Sequence, residues 1–159
     1  MSGQDTLAFS GQTGAFGKAG LVEGSNANTI KIAAPNGAGL DFGIDGNAYH
    51  KGDTDNIAMT ALANQALSTS CLYLITINSS LVVVIVKGNE VLTVDLGVIG
   101  GSLQWPIPAA DLCPIGGFKI ELDSTVGGFT SGSTDLGDAR VTNTFLEFAG
   151  GMPLAPQVT

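Results

Sequence analysis

Short runs of alternating apolar and polar residues, separated by turn residues, dominate the chain from position 28 onward. Residues 29–33 and 40–44 alternate in this way, and the dipeptide Asp45-Gly46 follows the second run. An Asp-Gly pair accepts the positive φ angles of a type I′ turn, so we expect a hairpin that returns through residues 48–51. A period of two is typical of half-buried strands.

The most apolar part of the chain lies between residues 71 and 96. Three runs rich in β-branched residues, 71–77, 81–86 and 91–96, are separated by turn residues at 78–80 and 88–89, which predicts a meander. Residues 81–86 are apolar on both faces. We therefore expect them to form a central strand covered on both sides, by a second sheet or by a neighbouring subunit.

Two more strands are predicted at residues 118–123 and 141–148. Residues 53–67 fit either a capped helix or a short strand followed by a loop, and the pattern does not choose between them. Short strands with turn residues every 8–12 positions, as a rough spacing, favour a sandwich or barrel. The sequence thus predicts an all-β protein, an antiparallel β-sandwich or jelly-roll-like barrel.

The first 26 residues differ from the rest, being rich in Gly, Ser and Gln with isolated apolar residues. We expect a flexible N-terminal arm at residues 1–26 and a single β domain at residues 27–159, because the arm alone cannot bury enough apolar area to offset ordering. A frayed terminus is the alternative. Large side chains in this arm and in a proline-containing loop are predicted to bind a partner: Leu7, Phe9, Phe16, Leu21 and Trp105.

Composition and charge indicate which classes of partner the chain could bind. Only 13% of the residues are charged, against roughly 25% in typical domains. A surface of small polar residues therefore carries little electrostatic cost when it is buried against another protein. The net charge is −8 and the six cations are scattered singly, which argues against nucleic acid. The longest apolar run, 81–86, is far shorter than the ~20 residues that span a bilayer, and the N-terminus lacks the pattern of a secretory signal. We expect synthesis in the cytoplasm and no membrane partner.

Few residues suggest a catalytic or metal-binding role. His50 is the one histidine, no G-x-S-x-G motif is present, and Cys71 and Cys113 are expected to be buried small hydrophobes. Asp53, Asp55 and Asn56 supply oxygen ligands of the kind that calcium accepts, although without EF-hand spacing, and a solvated turn is the alternative. No catalytic residue and no cofactor is predicted.

The order of several short segments resembles a loosely conserved type of virion structural protein of tailed bacteriophages, often a capsid decoration or cement protein. The segments that carry the resemblance are residues 42–49, 55–56, 65, 83–88, 106–108, 113–116 and 141–145. The resemblance implies a protein without an active site that binds the expanded shell from outside as an oligomer, often a trimer. Its partners would be the major capsid protein and copies of itself, on the capsid surface of the virion.

Two other functions fit the sequence. One is a tail, baseplate or fibre component with a host-contact role. The other is a carboxylate-based hydrolase, which would depend on His50 and on Asp53 and Asp55.

Overall fold

The computed structural model describes residues 12–98, 100–125 and 127–152. Ten strands form within these residues, together with a 3-10 helix at Thr93–Asp95. In chain order the strands are β1 (Gly14–Ala15), β2 (Leu21–Glu23), β3 (Thr29–Ile32), β4 (Leu40–Ile44), β5 (Asn47–Lys51), β6 (Thr54–Ala58), β7 (Thr69–Asn78), β8 (Val83–Leu92), β9 (Leu112–Leu122) and β10 (Val141–Glu147).

The fold is an all-β sandwich built from three antiparallel sheets. A four-stranded sheet has the order β10-β9-β7-β8, and two three-stranded sheets have the orders β1-β4-β5 and β2-β3-β6. The inner face of the four-stranded sheet packs against apolar residues of both smaller sheets in one inner core, which includes Phe42, Ile32 and Tyr73. The prediction of an all-β antiparallel sandwich is confirmed.

The predicted hairpin is present. β4 and β5 pair in register from Leu40 with Lys51 to Ile44 with Asn47. Asp45 and Gly46 have φ angles of 50° and 80°, as a type I′ turn requires. In the segment 53–67, the strand β6 is followed by a loop, so the second of the two alternatives is the one observed.

The prediction of a central strand at residues 81–86 is wrong. β8 begins at Val83 and, among the strands that the structure describes, is an edge strand paired only with β7. Leu81 lies in the turn before it with a φ angle of 64°, and Val82 is 53% exposed. The strand that is buried on both faces is its neighbour β7, where every residue from Thr69 to Ile77 is buried. Apolar β-branched residues predicted a strand correctly, but they did not determine its position in the sheet.

The predicted turn at residues 88–89 is also absent. β8 continues through these residues to Leu92, and the register with β7 shifts between Cys71, which faces Glu90, and Tyr73, which faces Lys87. The dipeptide therefore forms a β-bulge, in which two residues oppose one. The predicted strand at 91–96 is only the end of β8 followed by the 3-10 helix.

A second hydrophobic cluster, which we call the outer cluster, covers the outer face of the four-stranded sheet. Its buried residues are Leu72, Leu74, Leu103, Trp105 and Phe148. Trp105 meets Phe148 edge to face, with ring centroids 4.9 Å apart. The edge of the indole lies close to Gly117, where an added Cβ would lie 2.6 Å from the Tyr73 carbonyl oxygen and clash with the Trp105 ring. The chain itself thus covers the second face of β7.

The described part of the expected N-terminal arm belongs to the sandwich. β1 pairs with β4, and β2 pairs with β3. Ala15, Ala19 and Leu21 are buried in the inner core, and the Glu147 carboxylate accepts the backbone N–H groups of Ala19 and Leu21. A loose arm is therefore the wrong description of residues 12–26. Sequence composition missed this because the apolar residues here are single, and the hydrogen bonds that tie Ala19 and Leu21 to Glu147 span more than 100 residues.

Candidate docking surfaces

The weak candidates for a cation site lie together at β6, and each already has protein donors. They are Asp53, Asp55 and Asn56. Their side-chain oxygens accept the backbone N–H groups of residues 34, 25 and 26 at 2.8, 3.0 and 2.7 Å, in that order. Within the described residues, no three His, Cys, Asp or Glu side chains are grouped so that they could hold a metal ion. Asp55 and Asn56 lie within β6 and Asp53 directly precedes it, and the three side chains fix the neighbouring backbone.

Of these three side chains, that of Asp55 makes the strongest contacts. Hydrogen bonds from the Ser25 hydroxyl and backbone N–H lower the pKa of its carboxyl from the ordinary value of 3.8, and the nearby Lys31 ammonium adds to the effect. A hydrogen-bonded carboxylate favours its charged form. The group therefore stabilises the link between β6 and the turn before β3 at neutral pH.

His50 and the two cysteines take structural positions. His50 lies on β5, and its Nδ1 is 2.7 Å from Asp41 Oδ1, with both side chains more than half exposed. Cys71 and Cys113 are free thiols in the inner core, as expected, and burial raises the pKa of each to about 12. A thiol with such a pKa is almost entirely protonated at neutral pH and is a poor nucleophile.

The predicted partner-binding residues are not brought together. Leu21 is 3% exposed in the inner core, and Trp105 is 9% exposed in the outer cluster. Both hold the chain's own sheets together, so neither is available as a surface anchor, which corrects that prediction. Leu7 and Phe9 lie outside the described residues. Phe16 alone is described and well exposed, at 45%.

Phe16 separates two grooves on the outer face of the β1-β4-β5 sheet. The larger, of about 370 Å³, includes Lys18, Asn36 and Asp41 in its lining. The smaller, of about 220 Å³, is lined by Phe16, Gly43, Gly46 and Ala48, which are almost wholly apolar. Because Phe16 follows Ala15, which faces the core, its ring points outward over Gly43.

A second apolar surface lies at the end of β8. Leu92, Val94 and Val98 are 50%, 81% and 60% exposed, and Leu67, also exposed, lies beside the Ser68 carbonyl that accepts the Thr93 N–H. We call these four residues the end patch: Leu67, Leu92, Val94 and Val98. The 3-10 helix in this segment buries none of its residues.

The backbone beneath the end patch is tightly held. Thr93 donates to Ser68 at 2.8 Å, Val98 donates to Asp95 at 3.0 Å, and Gly101 donates to Val98 at 2.8 Å. A groove of about 480 Å³ adjoins the patch and includes the Glu90 and Asp95 side chains in its lining. Large apolar side chains fixed on an ordered turn are a typical feature of contact surfaces, since a partner need not order them on binding.

Sequence reasoning missed the end patch for a physical reason. Residues 91–96 were predicted to form the third strand of a meander. The segment instead leaves the sheet after Leu92 and turns at Gly97, where φ is 78°. The two glycines at 100 and 101 were the available signal of that turn.

No family model, curated protein or solved structure matches the chain. Among the residues described, no helix is long and apolar enough to cross a membrane.

Proposed function

We propose that the protein is a non-enzymatic structural protein of a tailed-bacteriophage particle, which binds the outer capsid surface as an oligomer and stabilises the shell. The proposal rests on the resemblance of its short motifs to virion decoration proteins and on one structural observation. That observation is the end patch, an ordered apolar surface on a chain in which only 13% of residues are charged.

Burying the end patch against the major capsid protein removes large apolar side chains from water at little electrostatic cost. Burial of apolar area yields about 25 cal/mol per Å², and an oligomer, often a trimer in proteins of this type, multiplies the number of such contacts per particle. Asp95 beside the patch favours a partner surface that carries a cation at its rim.

The strand β8 offers a matched pair of variants for a test. Val94 follows its end and Val82 precedes its start, so about ten residues of strand, roughly 33 Å, separate them. Both side chains are more than half exposed. Replacing either with Asp adds one charge to a surface position without touching the core.

Purified capsids are incubated with wild-type protein, Val94→Asp or Val82→Asp and sedimented, and the bound copies are counted. We expect wild-type and Val82→Asp protein to bind equally and Val94→Asp to lose at least tenfold in affinity, since a buried unpaired charge is costly. Loss of binding with Val82→Asp alone would show that the end patch is not the contact. Wild-type protein that stays in the supernatant, or that labels only the tail of intact particles, would overturn the capsid assignment.

A further inference from the structure

We propose that β10 is a contact between copies of this chain, and that it pairs antiparallel with β10 of a second copy about a twofold axis at Phe145. The pairing joins two four-stranded sheets into one continuous sheet across the dimer. This contact lies at the edge of the sheet opposite β8, away from the end patch, and does not depend on what the protein binds.

The main-chain groups of β10 point alternately toward β9 and away from it. The even-numbered residues bond to β9, as the bond of 3.3 Å from the Phe148 N–H to the Ile115 carbonyl just beyond the strand indicates. Asn143, Phe145 and Glu147 therefore turn their N–H and C=O groups outward. Among the residues that the structure describes, none forms a hydrogen bond with these outward groups.

β8, the other edge of the same sheet, is covered by its own chain. The Ile85 N–H donates to Thr60 Oγ1 at 3.0 Å, and Lys87 Nζ donates to the carbonyls of Ala63 and Asn64 at 3.0 and 3.2 Å. The β-bulge interrupts the strand further along. Charged side chains, bulges and covering loops are the devices by which proteins keep an edge strand from pairing. β8 is thus closed to a further strand.

Within the part of the chain that the structure describes, β10 carries none of these devices. Its seven residues pair with β9 without a register shift, and none of them is Pro, Lys or Arg. Its one charged residue, Glu147, directs its carboxylate to the backbone N–H groups of residues 19 and 21. Thr142 and Thr144 are exposed. A regular, uncovered edge of the largest sheet is a surface for pairing with another strand.

The outward groups of β10 match those of a second copy. They run from Asn143 to Glu147 and are centred on Phe145, whereas the Val141 N–H already donates to the Asp138 carbonyl at 2.8 Å. A twofold axis at Phe145 sets Asn143 opposite Glu147 of the second copy, and Phe145 opposite its own counterpart. Every outward N–H then meets an outward C=O. An axis one residue earlier would bring in Val141, whose donor is already used.

The side chains agree with this register. No two charged residues of β10 oppose each other, which matters because like charges directly opposite destabilise a strand pair. The Glu147 carboxylate meets the amide of Asn143, a hydrogen-bond donor, and not a second carboxylate. The ring of Phe145, only partly buried in one chain, gains its counterpart as a neighbour. On the other face of the sheet, Thr144 lies opposite Leu146.

Two variants at position 145 separate the main-chain contact from the loss of the ring. Phe145→Ala and Phe145→Pro both remove the aromatic side chain, but only proline removes the outward N–H and projects its own ring toward the second copy. This N–H makes no bond to β9, so the pairing within one chain is kept. Far-UV circular dichroism checks that both variants fold.

Sedimentation velocity over a range of concentrations gives the dimer dissociation constant. We expect wild type and Phe145→Ala to dimerise, and Phe145→Pro to have a dissociation constant at least about tenfold higher than Phe145→Ala, since the central pair loses both of its hydrogen bonds. Wild-type protein that stays monomeric, or equal constants for the two variants, would overturn the proposal. So would dimers abolished by Val94→Asp, which would locate the contact between copies at the end patch.

Hydrogen–deuterium exchange on the wild-type chain tests the same contact without a substitution. The amides of Asn143, Phe145 and Glu147 point outward in a single chain, so we expect their protection to increase as the protein concentration rises. Protection at these amides that does not change with concentration would contradict the pairing. No capsid takes part in these measurements, so a failure of this proposal and a failure of the capsid assignment are separate results.

Discussion

β7 and β8 are neighbouring strands of ten residues each, and both are rich in apolar residues, yet they are buried in different ways. Every residue of β7 from Thr69 to Ile77 is buried. β8 has only Val83 and Ile85 buried, on the inner face, and its outer face is half covered. The difference does not come from composition, because residues 83–86 of β8 are all β-branched.

β7 and β8 differ in burial because distant parts of the chain pack over the outer face of β7. Leu103, Trp105 and Phe148 lie over Leu72 and Leu74 of β7, while Val86 and Val91 of β8 only border this outer cluster. The inner face of β7 contributes Tyr73, which stacks on Phe118 at 5.0 Å. An apolar strand becomes central when other segments close both of its faces, and a strand beside it remains an edge.

Removing the outer cover should have the largest effect. Trp105→Ala is expected to lower the free energy of unfolding by about 3–5 kcal/mol, since a large buried ring leaves a cavity over β7. Ile107→Ala, in the same loop but 89% exposed, should change it by less than about 0.5 kcal/mol. Urea unfolding followed by far-UV circular dichroism measures both, and equal effects would mean that the loop and not the indole closes the sheet.

The two strands can be compared directly by truncating their outer faces. Leu74→Ala in β7 should cost about 2–5 kcal/mol. Val84→Ala in β8 should cost less than about 1 kcal/mol, because its side chain is only partly buried. Thermal and urea unfolding of both variants gives the ratio of their losses in unfolding free energy. A larger loss for Val84→Ala than for Leu74→Ala would contradict the assignment of β7 as the central strand.

The inner face of β7 also carries a buried polar contact. The Tyr73 hydroxyl donates to Gln65 Oε1 at 3.0 Å, and Gln65 Nε2 donates to the Thr69 and Ile120 carbonyls. Tyr73→Phe leaves the Gln65 oxygen without this donor and should cost about 1–3 kcal/mol. Tyr49→Phe removes a hydroxyl from the half-buried ring of β5 and serves as the control in the same unfolding assay.

The smallest effect is expected outside the four-stranded sheet, at Asp55. Its pKa is lowered in the folded chain, so its contribution to stability is complete above its ordinary pKa of 3.8 and is lost as the pH falls through the folded value. Asp55→Asn should therefore be less stable than wild type at pH 7, and the two should converge below about pH 4. Asp138, whose pKa is held well below its usual range by hydrogen bonds from Arg140, keeps some acid sensitivity in both proteins.

A difference between Asp55→Asn and wild type that is the same at pH 3 and pH 7 would show that the carboxylate charge plays no part. Asp111→Asn, at an exposed position, is the matched control and should follow wild type across the whole range.

Local sequence signals predicted the β4–β5 hairpin and the final strand well, because those depend on neighbouring residues. Asp45-Gly46 specifies its own turn, and the alternating residues of β4 specify which side faces the core. The final strand at residues 141–148 agrees with β10 to within one residue. These features need no information about the rest of the chain.

The sheet order and the candidate sites could not be predicted in the same way. The Leu21 N–H donates its hydrogen bond to the Glu147 carboxylate. Trp105 can pack against the sheet because residue 117 is a glycine. Residues 12–23 contain the same small and isolated apolar residues that a linker has, so only their pairing with β3 and β4 reveals them as strands. Val94 was predicted to lie in a strand of the meander, and it lies instead in the 3-10 helix and is 81% exposed.

Hydrogen–deuterium exchange on the free full-length chain tests most directly whether the chain itself encloses β7. We predict that the amides of residues 71–77 exchange last, at a rate independent of protein concentration, while those of β8 exchange earlier through local opening. Protection of β8 equal to that of β7, or protection of β7 that develops only as concentration rises and subunits associate, would contradict the account.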